Sequence, residues 1–248
     1  MTDPPKPPDI DSRSFDGLRE IVRRLRAPDG CPWDRAQTHE SLRRYLLEET
    51  YEALDALDGG DARKLCEELG DVLLQILLHA QIASESGEFT VDDVIEGIAT
   101  KLLRRHPHVF GETKVDTAEE VVLKWEEIKS AERGGESLLA DVPQALPALV
   151  YSQAMQERAV AAGFEWPDVE DVLDKLTEEA RELAEAETLE EKREELGDTL
   201  FVLVSLARKL GLDAEESLRL ASRRFRRRFD ALQSLASERG LRLADLPI

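Results

Sequence analysis

Aromatic residues make up only 5% of this 248-residue chain, and cysteine occurs twice, at Cys31 and Cys66. With Ala, Leu, Glu and Arg abundant instead, the composition favours helix. The two cysteines form no CxxC pair and no framework, which excludes a disulfide scaffold and indicates a reducing, cytoplasmic compartment. No run of about 18 apolar residues exists, so no helix is expected to span a membrane. Positive charge is scarce: 33 Lys plus Arg face 53 Asp plus Glu, a net charge of -20. That field argues against nucleic acid as a partner, although metal ions would let an anionic substrate bind. The first stretch, MTDPPKPPDIDSRS, is proline-rich without an apolar core. It is read as neither signal peptide nor anchor, and residues 1–13 are expected to form a flexible arm.

What is present is helical punctuation. Apolar helical patterns stop at Gly59-Gly60, Gly87, Pro107, Gly134-Gly135, Gly163, Gly211 and Gly240, as helix C-termini should. Starts are marked by an N-cap with an acid three residues on: Thr90 with Asp93, Thr117 with Glu120, Thr188 with Glu191, Asp213 with Glu216. Strand-like alternation is essentially missing, so the expected fold is all-α.

The signals then recur in order. GCPW at Gly30–Trp33 pairs with GFEW at Gly163–Trp166, and EETYE at Glu48–Glu52 with EEARE at Glu178–Glu182. EELGD occurs at Glu67–Asp71 and again at Glu194–Asp198, each running into an apolar helix. Last come ATKLLRRHPHVF from Ala99 and ASRRFRRRFDAL from Ala221. The offset between copies shrinks steadily, as it does when only loops change length. This predicts two tandem repeats of a roughly four-helix bundle, at 14–110 and 147–248. A linker over 111–146 is expected to carry a helix around Trp125.

The repeated carboxylates need a reason. Lys175, Glu179 and Glu182 share one helix face, beside an apolar stripe of Leu176, Ala180 and Leu183. Glu195 and Asp198 lie at i, i+3 on the next helix, beside Leu196, Leu200 and Leu203. A short connection at Thr188 makes the helices antiparallel neighbours, so the carboxylates converge. Two like charges about 4 Å apart repel by about 4 kcal/mol at an effective dielectric near 20. Several such pairs rival the roughly 5–15 kcal/mol that holds a domain folded. An all-oxygen donor set without His or Cys selects a hard cation, Mg²⁺ first and Mn²⁺ second. A single EExxE is usually only a solvated helix face; EExxE followed by ExxD, written twice, is far more specific. A mid-helix glycine such as Gly197 costs about 1 kcal/mol against alanine. Its recurrence predicts a close helix approach, or room for a ligand, at that turn.

These motifs resemble the MazG-type nucleoside triphosphate pyrophosphohydrolases of the all-α NTP pyrophosphatase superfamily. The resemblance is carried by GCPWDRAQTHESL, LLEETYEALDAL, EELGDVLLQILLHAQ, KLLRRHPHVFG, LKWEEIK, GFEW and ARKLGLDAEESL, and covers nearly the whole chain after the arm. It implies Mg²⁺-dependent cleavage of a nucleoside triphosphate into monophosphate and pyrophosphate, homodimers, and a house-cleaning role in the nucleotide pool. Carried over, the metal ligands are Glu179, Glu182, Glu195 and Asp198, with Glu178 or Glu194 orienting the water. The second set is Glu49, Glu52, Glu68 and Asp71. Where that family has an asparagine and a lysine before the basic helix segment, this chain has Ser222 and Arg224. Where it has a lysine shortly before ExxD, this chain has Glu191, with Lys192 one residue on.

The copies differ in their cations. Lys175, Lys192, Arg224 and Arg228 stand where the first copy has Tyr45, Leu65, Leu102 and His106, while Arg227 matches Arg105. Arginine suits phosphate by its planar fork, so the second repeat is expected to carry the main active site, as the resemblance also implies. Among weaker signals, Phe225 and Phe229 are expected in the core at i, i+4. Trp33 and Trp166 are read as core residues ahead of base-stacking ones, and Cys66 as a small buried residue. His106–His108 is read as a helix end closed by Pro107. Two rival classes are a di-iron bundle and a non-catalytic metal-binding or partner-interaction module. The first needs Glu-x-x-His, which no histidine here completes. The second has no use for the added cations.

Overall fold

Capping chemistry fixes where the helices begin and end. The computed structural model describes residues 10–115, 137–140 and 142–243, with Thr117, Glu120, Val121, Lys124, Trp125 and Ile128 between them. Contacts divide the chain into two units, Met1–Asp116 and Thr117–Ile248. The first holds α1 (Phe15–Leu25), α2 (Pro32–Arg35), α3 (His39–Gly59), α4 (Ala62–Ser86), α5 (Val91–Arg105) and α6 (Pro107–Phe110). The second holds α7 (Ala148–Ala161), α8 (Val169–Glu185), α9 (Leu189–Lys209) and α10 (Ala214–Glu238). No strand occurs among the described residues.

Thr90 and Thr188 close capping boxes with Asp93 and Glu191. Asp213 accepts from the Glu216 amide, and Thr117 from the Glu120 amide. Gly60 and Gly87 end α3 and α4 in the left-handed region, at φ 67° and 73°, where a Cβ would add strain. Pro107 stops α5 at Arg105 and opens the short α6. Residues 120, 121, 124, 125 and 128 have helical backbone, in keeping with the expected helix around Trp125. Gly134-Gly135, and residues 1–9 of the arm, lie outside the described residues.

Each unit is organised around one long helix hairpin. In the first, α3 packs on α4, and α1 and α5 flank α4. Val22, Leu42, Leu77, Leu78, Ala80 and Val91 form its core, with Tyr45 and Leu73 against it. In the second, α8 packs on α9, α7 and α10 both lean on α9, and α10 also meets α7. Val172 and Val204 are its fully buried side chains. Leu42 and Val172 occupy equivalent positions on α3 and α8, so the two hairpins share one register. Burying a leucine such as Leu42 contributes roughly 1.5–3 kcal/mol.

Arginines then close the loops. In the first unit the buried Arg26 forks onto Glu85 at 2.8 and 2.9 Å and donates to the Asp34 and Gln37 carbonyls. In the second, Arg208 forks onto Glu165, with Lys209 3.7 Å away, which ties the loop before α8 to the end of α9.

Several expected core residues lie outside. Trp33 is 51% exposed, edge-on to Tyr45, because α2 sits at the rim of its unit; Trp166 is half-buried. Phe225 and Phe229 are exposed and stack on each other, centroids 6.0 Å apart; their face of α10 has no described helix against it. Cys66 is exposed, since α4 turns the opposite face, with Leu65 and Glu68, towards α3. Leu196, Leu200 and Leu203 are 49%, 44% and 41% exposed, and Ala180 is exposed too. The carboxylates therefore border an open apolar stripe rather than a closed core.

The Glu165 pair gives a pH test. Hydrogen bonds from Arg208 hold the Glu165 carboxyl down to about 2, against an ordinary 4.5. A depressed carboxyl contributes stability above 4.5 and loses it as pH falls towards 2. Glu165→Gln is expected to lower the melting temperature at neutral pH. The gap to the parent should close as the pH is lowered through that window, as followed by circular dichroism.

Candidate metal centre

The α8–α9 hairpin brings three of the named carboxylates together. Glu179 on α8 is 5% exposed, Glu182 stands one turn on, and Glu195 on α9 is half-buried opposite them. One carboxylate oxygen from each lies within 4.8 Å of the others. The α3–α4 hairpin repeats this with Glu49, Glu52 and the 6%-exposed Glu68. Asp198 and Asp71 lie outside these trios, yet both add to the local negative field.

That field shifts proton affinities. The Glu195 carboxyl is raised above its ordinary 4.5 by desolvation first, then by Glu182, Glu179, Asp198 and Glu194. Glu49 is raised by desolvation and then by Asp71, Glu52, Glu68 and Glu48. Glu68 is raised by desolvation and Glu52, the latter through a shared hydrogen bond as well, with Lys64 at 3.8 Å opposing. Desolvated carboxylates facing one another through oxygen donors alone fit a hard divalent cation.

The named cations fall in different places. Lys175 points into the cluster, its Nζ 2.7 Å from Glu178 and 2.8 Å from Glu179. Those bonds keep it charged well above the usual lysine range. Glu178 is thereby the partner of Lys175. Lys192 is exposed one residue after Glu191, near the α9 cap. Arg224, Arg227 and Arg228 are exposed on α10. Among the described residues, no hydrogen bond or ion pair joins them to the carboxylates. The Lys175 bridge was legible as i, i+3 and i, i+4 spacing, but sequence reasoning had placed that lysine among the phosphate-binding cations.

Among the described residues, nothing packs closely against the paired glycines. A Cβ at Gly70 or Gly197 would meet nothing within 4 Å. What remains of that expectation is open space at the turn between the two α9 carboxylates.

Residues 37–110 and 168–232 match the MazG nucleotide pyrophosphohydrolase domain, so the family's motif occurs once on each hairpin. The chain is 47% identical over 236 residues to the nucleoside triphosphate pyrophosphohydrolase/pyrophosphatase MazG of Thermotoga maritima, covering 94% of this chain and 91% of that one. It is 42% identical over 243 residues to the nucleoside triphosphate pyrophosphohydrolase of Escherichia coli K12, covering 94% and 92%. It also shares 46% identity over 240 residues with the uncharacterized YabN protein of Bacillus subtilis, covering 94% of this chain and 49% of that protein. The chain belongs to the MazG nucleotide pyrophosphohydrolase family.

The raised carboxyl at Glu195 sets a sign. A group bound to its proton more tightly in the folded state costs stability as pH rises from 4.5 through its raised value, and that cost is fully present only above it. Metal-free Glu195→Gln is therefore expected to melt higher than the parent at neutral pH. Mg²⁺ should raise the parent's melting temperature more than the variant's. A metal-free variant that melts lower at neutral pH would contradict the assigned repulsion.

Proposed function

We propose that this protein hydrolyses nucleoside triphosphates to nucleoside monophosphates and pyrophosphate, chiefly at the α8–α9 hairpin, as a nucleotide-pool enzyme of the cytoplasm. The observation that supports this most is the converged trio of Glu179, Glu182 and Glu195, with Asp198 one turn further along α9. Under this reading the four carboxylates hold Mg²⁺, or Mn²⁺ in its place. When bound, the cation offsets phosphate charge and lowers the pKa of an adjacent water. Water oxygen joins the α-phosphorus, the bridge to the β-phosphorus breaks, and the bridging oxygen leaves with pyrophosphate. Glu178, bonded to Lys175 in the absence of the cation, or Glu194 orients the water and receives its proton. The names of the T. maritima and E. coli relatives support the same reaction.

The exposed stripe of Leu196, Leu200 and Leu203 supports a homodimer, in which a second copy covers it. Gly197 lies beside that stripe. If a second copy approaches there, Gly197→Ala is expected to weaken the dimer in analytical ultracentrifugation. If nothing approaches, the substitution should stabilise the helix by about 1 kcal/mol and leave the mass unchanged.

The two hairpins are expected to be unequal. Glu179→Ala or Asp198→Ala should remove most turnover, and Glu49→Ala or Asp71→Ala should leave most of it. The first unit has Tyr45, Leu102 and His106 where the second has Lys175, Arg224 and Arg228. Each charge-assisted contact is worth about 1.5–3 kcal/mol, so their absence disables a site with intact carboxylates. A pyrophosphate-release assay over a nucleotide panel measures this, and chelation should abolish the signal. First-hairpin variants dead with second-hairpin variants active would reverse the assignment.

A further inference from the structure

One polar cluster in the first unit belongs to neither carboxylate trio. His39 opens α3, and His79 lies in the second half of α4. Their ring planes are within 8° of parallel, the centroids are 5.0 Å apart, and the Nδ1 atoms approach to 2.7 Å. We propose that this pair is a further metal site, at which His39 and His79 bind a borderline divalent cation, Zn²⁺ or a neighbour of it, through their Nδ1 atoms and so clamp α3 to α4.

Two observations support it. The first is convergence. A 2.7 Å contact between two ring nitrogens holds a single proton, so one Nδ1 presents its lone pair to the other. A cation takes the place of that proton and engages both lone pairs. Histidine nitrogens stand roughly 2.0–2.1 Å from Zn²⁺ in a tetrahedral site, so the rings must part by a fraction of an ångström. His39 is exposed at the first position of its helix and can yield, and water completes the coordination on its open side. Desolvation first, and then His39, holds His79 below its ordinary 6.5, so at neutral pH it is the free imidazole that ligates metal.

The second observation is an unused acceptor. A metal at Nδ1 leaves the ring proton on Nε2, and a ligating histidine almost always donates that proton to a supporting oxygen or water. His79 Nε2 is buried without a partner, and so is Oε1 of Gln75, one turn earlier on the same face of α4. The first hairpin thus holds a donor position and an acceptor that a cation at the pair would bring into use.

The site differs from the carboxylate clusters in place and in chemistry. His39 precedes Glu49 by ten residues on α3, which is roughly 15 Å along the axis at 1.5 Å per residue. Imidazole suits zinc, nickel and copper, whereas the all-oxygen trios suit magnesium and manganese. The second unit has no counterpart: Val169, Val202 and Leu206 stand where the first has His39, Gln75 and His79. The hairpin fold therefore does not call for the pair, and the site stands independently of the proposed hydrolysis.

Calorimetric titration of the full chain with Zn²⁺, in millimolar Mg²⁺ to fill the carboxylate clusters, tests this. One Zn²⁺ event is expected to weaken by about tenfold or more in His39→Ala, because loss of a supporting contact alone costs roughly 10–100-fold. His79→Leu, which installs the residue of the second hairpin, should remove the same event. A second measurement uses the parent alone. The chain has four histidines, and in proton NMR one equivalent of Zn²⁺ should move the ring signals of His39 and His79 while those of His106 and His108 stay in place. Identical Zn²⁺ titrations in the parent and His39→Ala overturn the assignment, as does Zn²⁺ that leaves the His39 and His79 signals unmoved.

Discussion

Repulsion between carboxylates across a helix hairpin is the constraint around which each unit is built. Helix propensity and apolar burial would be satisfied as well by leucine at Glu179 and Glu68, which are nearly as inaccessible as the core itself. Desolvation, with repulsion from neighbouring carboxylates, raises the proton affinity of Glu68 and Glu195, so the clusters oppose the packing that surrounds them. The hairpins hold because that packing is strong on either side: Leu42 and Leu77 in the first unit, Val172 and Val204 in the second, all at most 2% exposed. The cost of the site is spread over the rigid pair of helices that presents it.

Local chemistry was the part of this architecture that could be read from residues alone. Capping boxes at Thr90 and Thr188 and the stops at Gly60, Gly87 and Pro107 depend on contacts within a few residues. Sequence spacing determines such contacts almost completely. The convergence of Glu179, Glu182 and Glu195 was legible for a related reason. A short connection forces the helices antiparallel, and i, i+3 spacing then selects the face. Burial was less legible, because it depends on what lies opposite. Trp33, Phe225 and Leu200 have the character of core residues, yet no described helix of their unit covers them. A cavity beside α9 was invisible for the same reason, since Met155, Trp166 and Phe201 come from three separate segments.

The two hairpins also differ along the seam that leads away from the carboxylates. In the first, Gln75 and His79 sit one turn apart on α4, each with a buried polar atom that finds no partner. His79 stacks on His39 with the Nδ1 atoms 2.7 Å apart, a contact that requires one proton between the two rings. At the equivalent positions of the second hairpin stand Val202 and Leu206. One seam is polar and proton-bearing, the other apolar. A duplication that kept both acidic motifs has therefore not kept their surroundings.

That divergence extends to how each cluster is neutralised. In the second hairpin a lysine does it: Lys175 bonds Glu178 and Glu179 directly. In the first, Tyr45 stands in its place, Lys64 reaches only to 3.8 Å, and desolvation with repulsion from Glu52 raises the Glu68 carboxyl. A divalent cation entering the second cluster competes with an ammonium on a flexible stem, which can swing aside and remain charged. In both hairpins a cation competes with protons at the raised carboxyls, Glu49 and Glu68 in the first and Glu195 in the second, so its affinity falls as the pH does. The same repulsion thus gives one hairpin a positive group that can turn towards an incoming polyphosphate. It gives the other a tyrosine at that position and only the more distant Lys64.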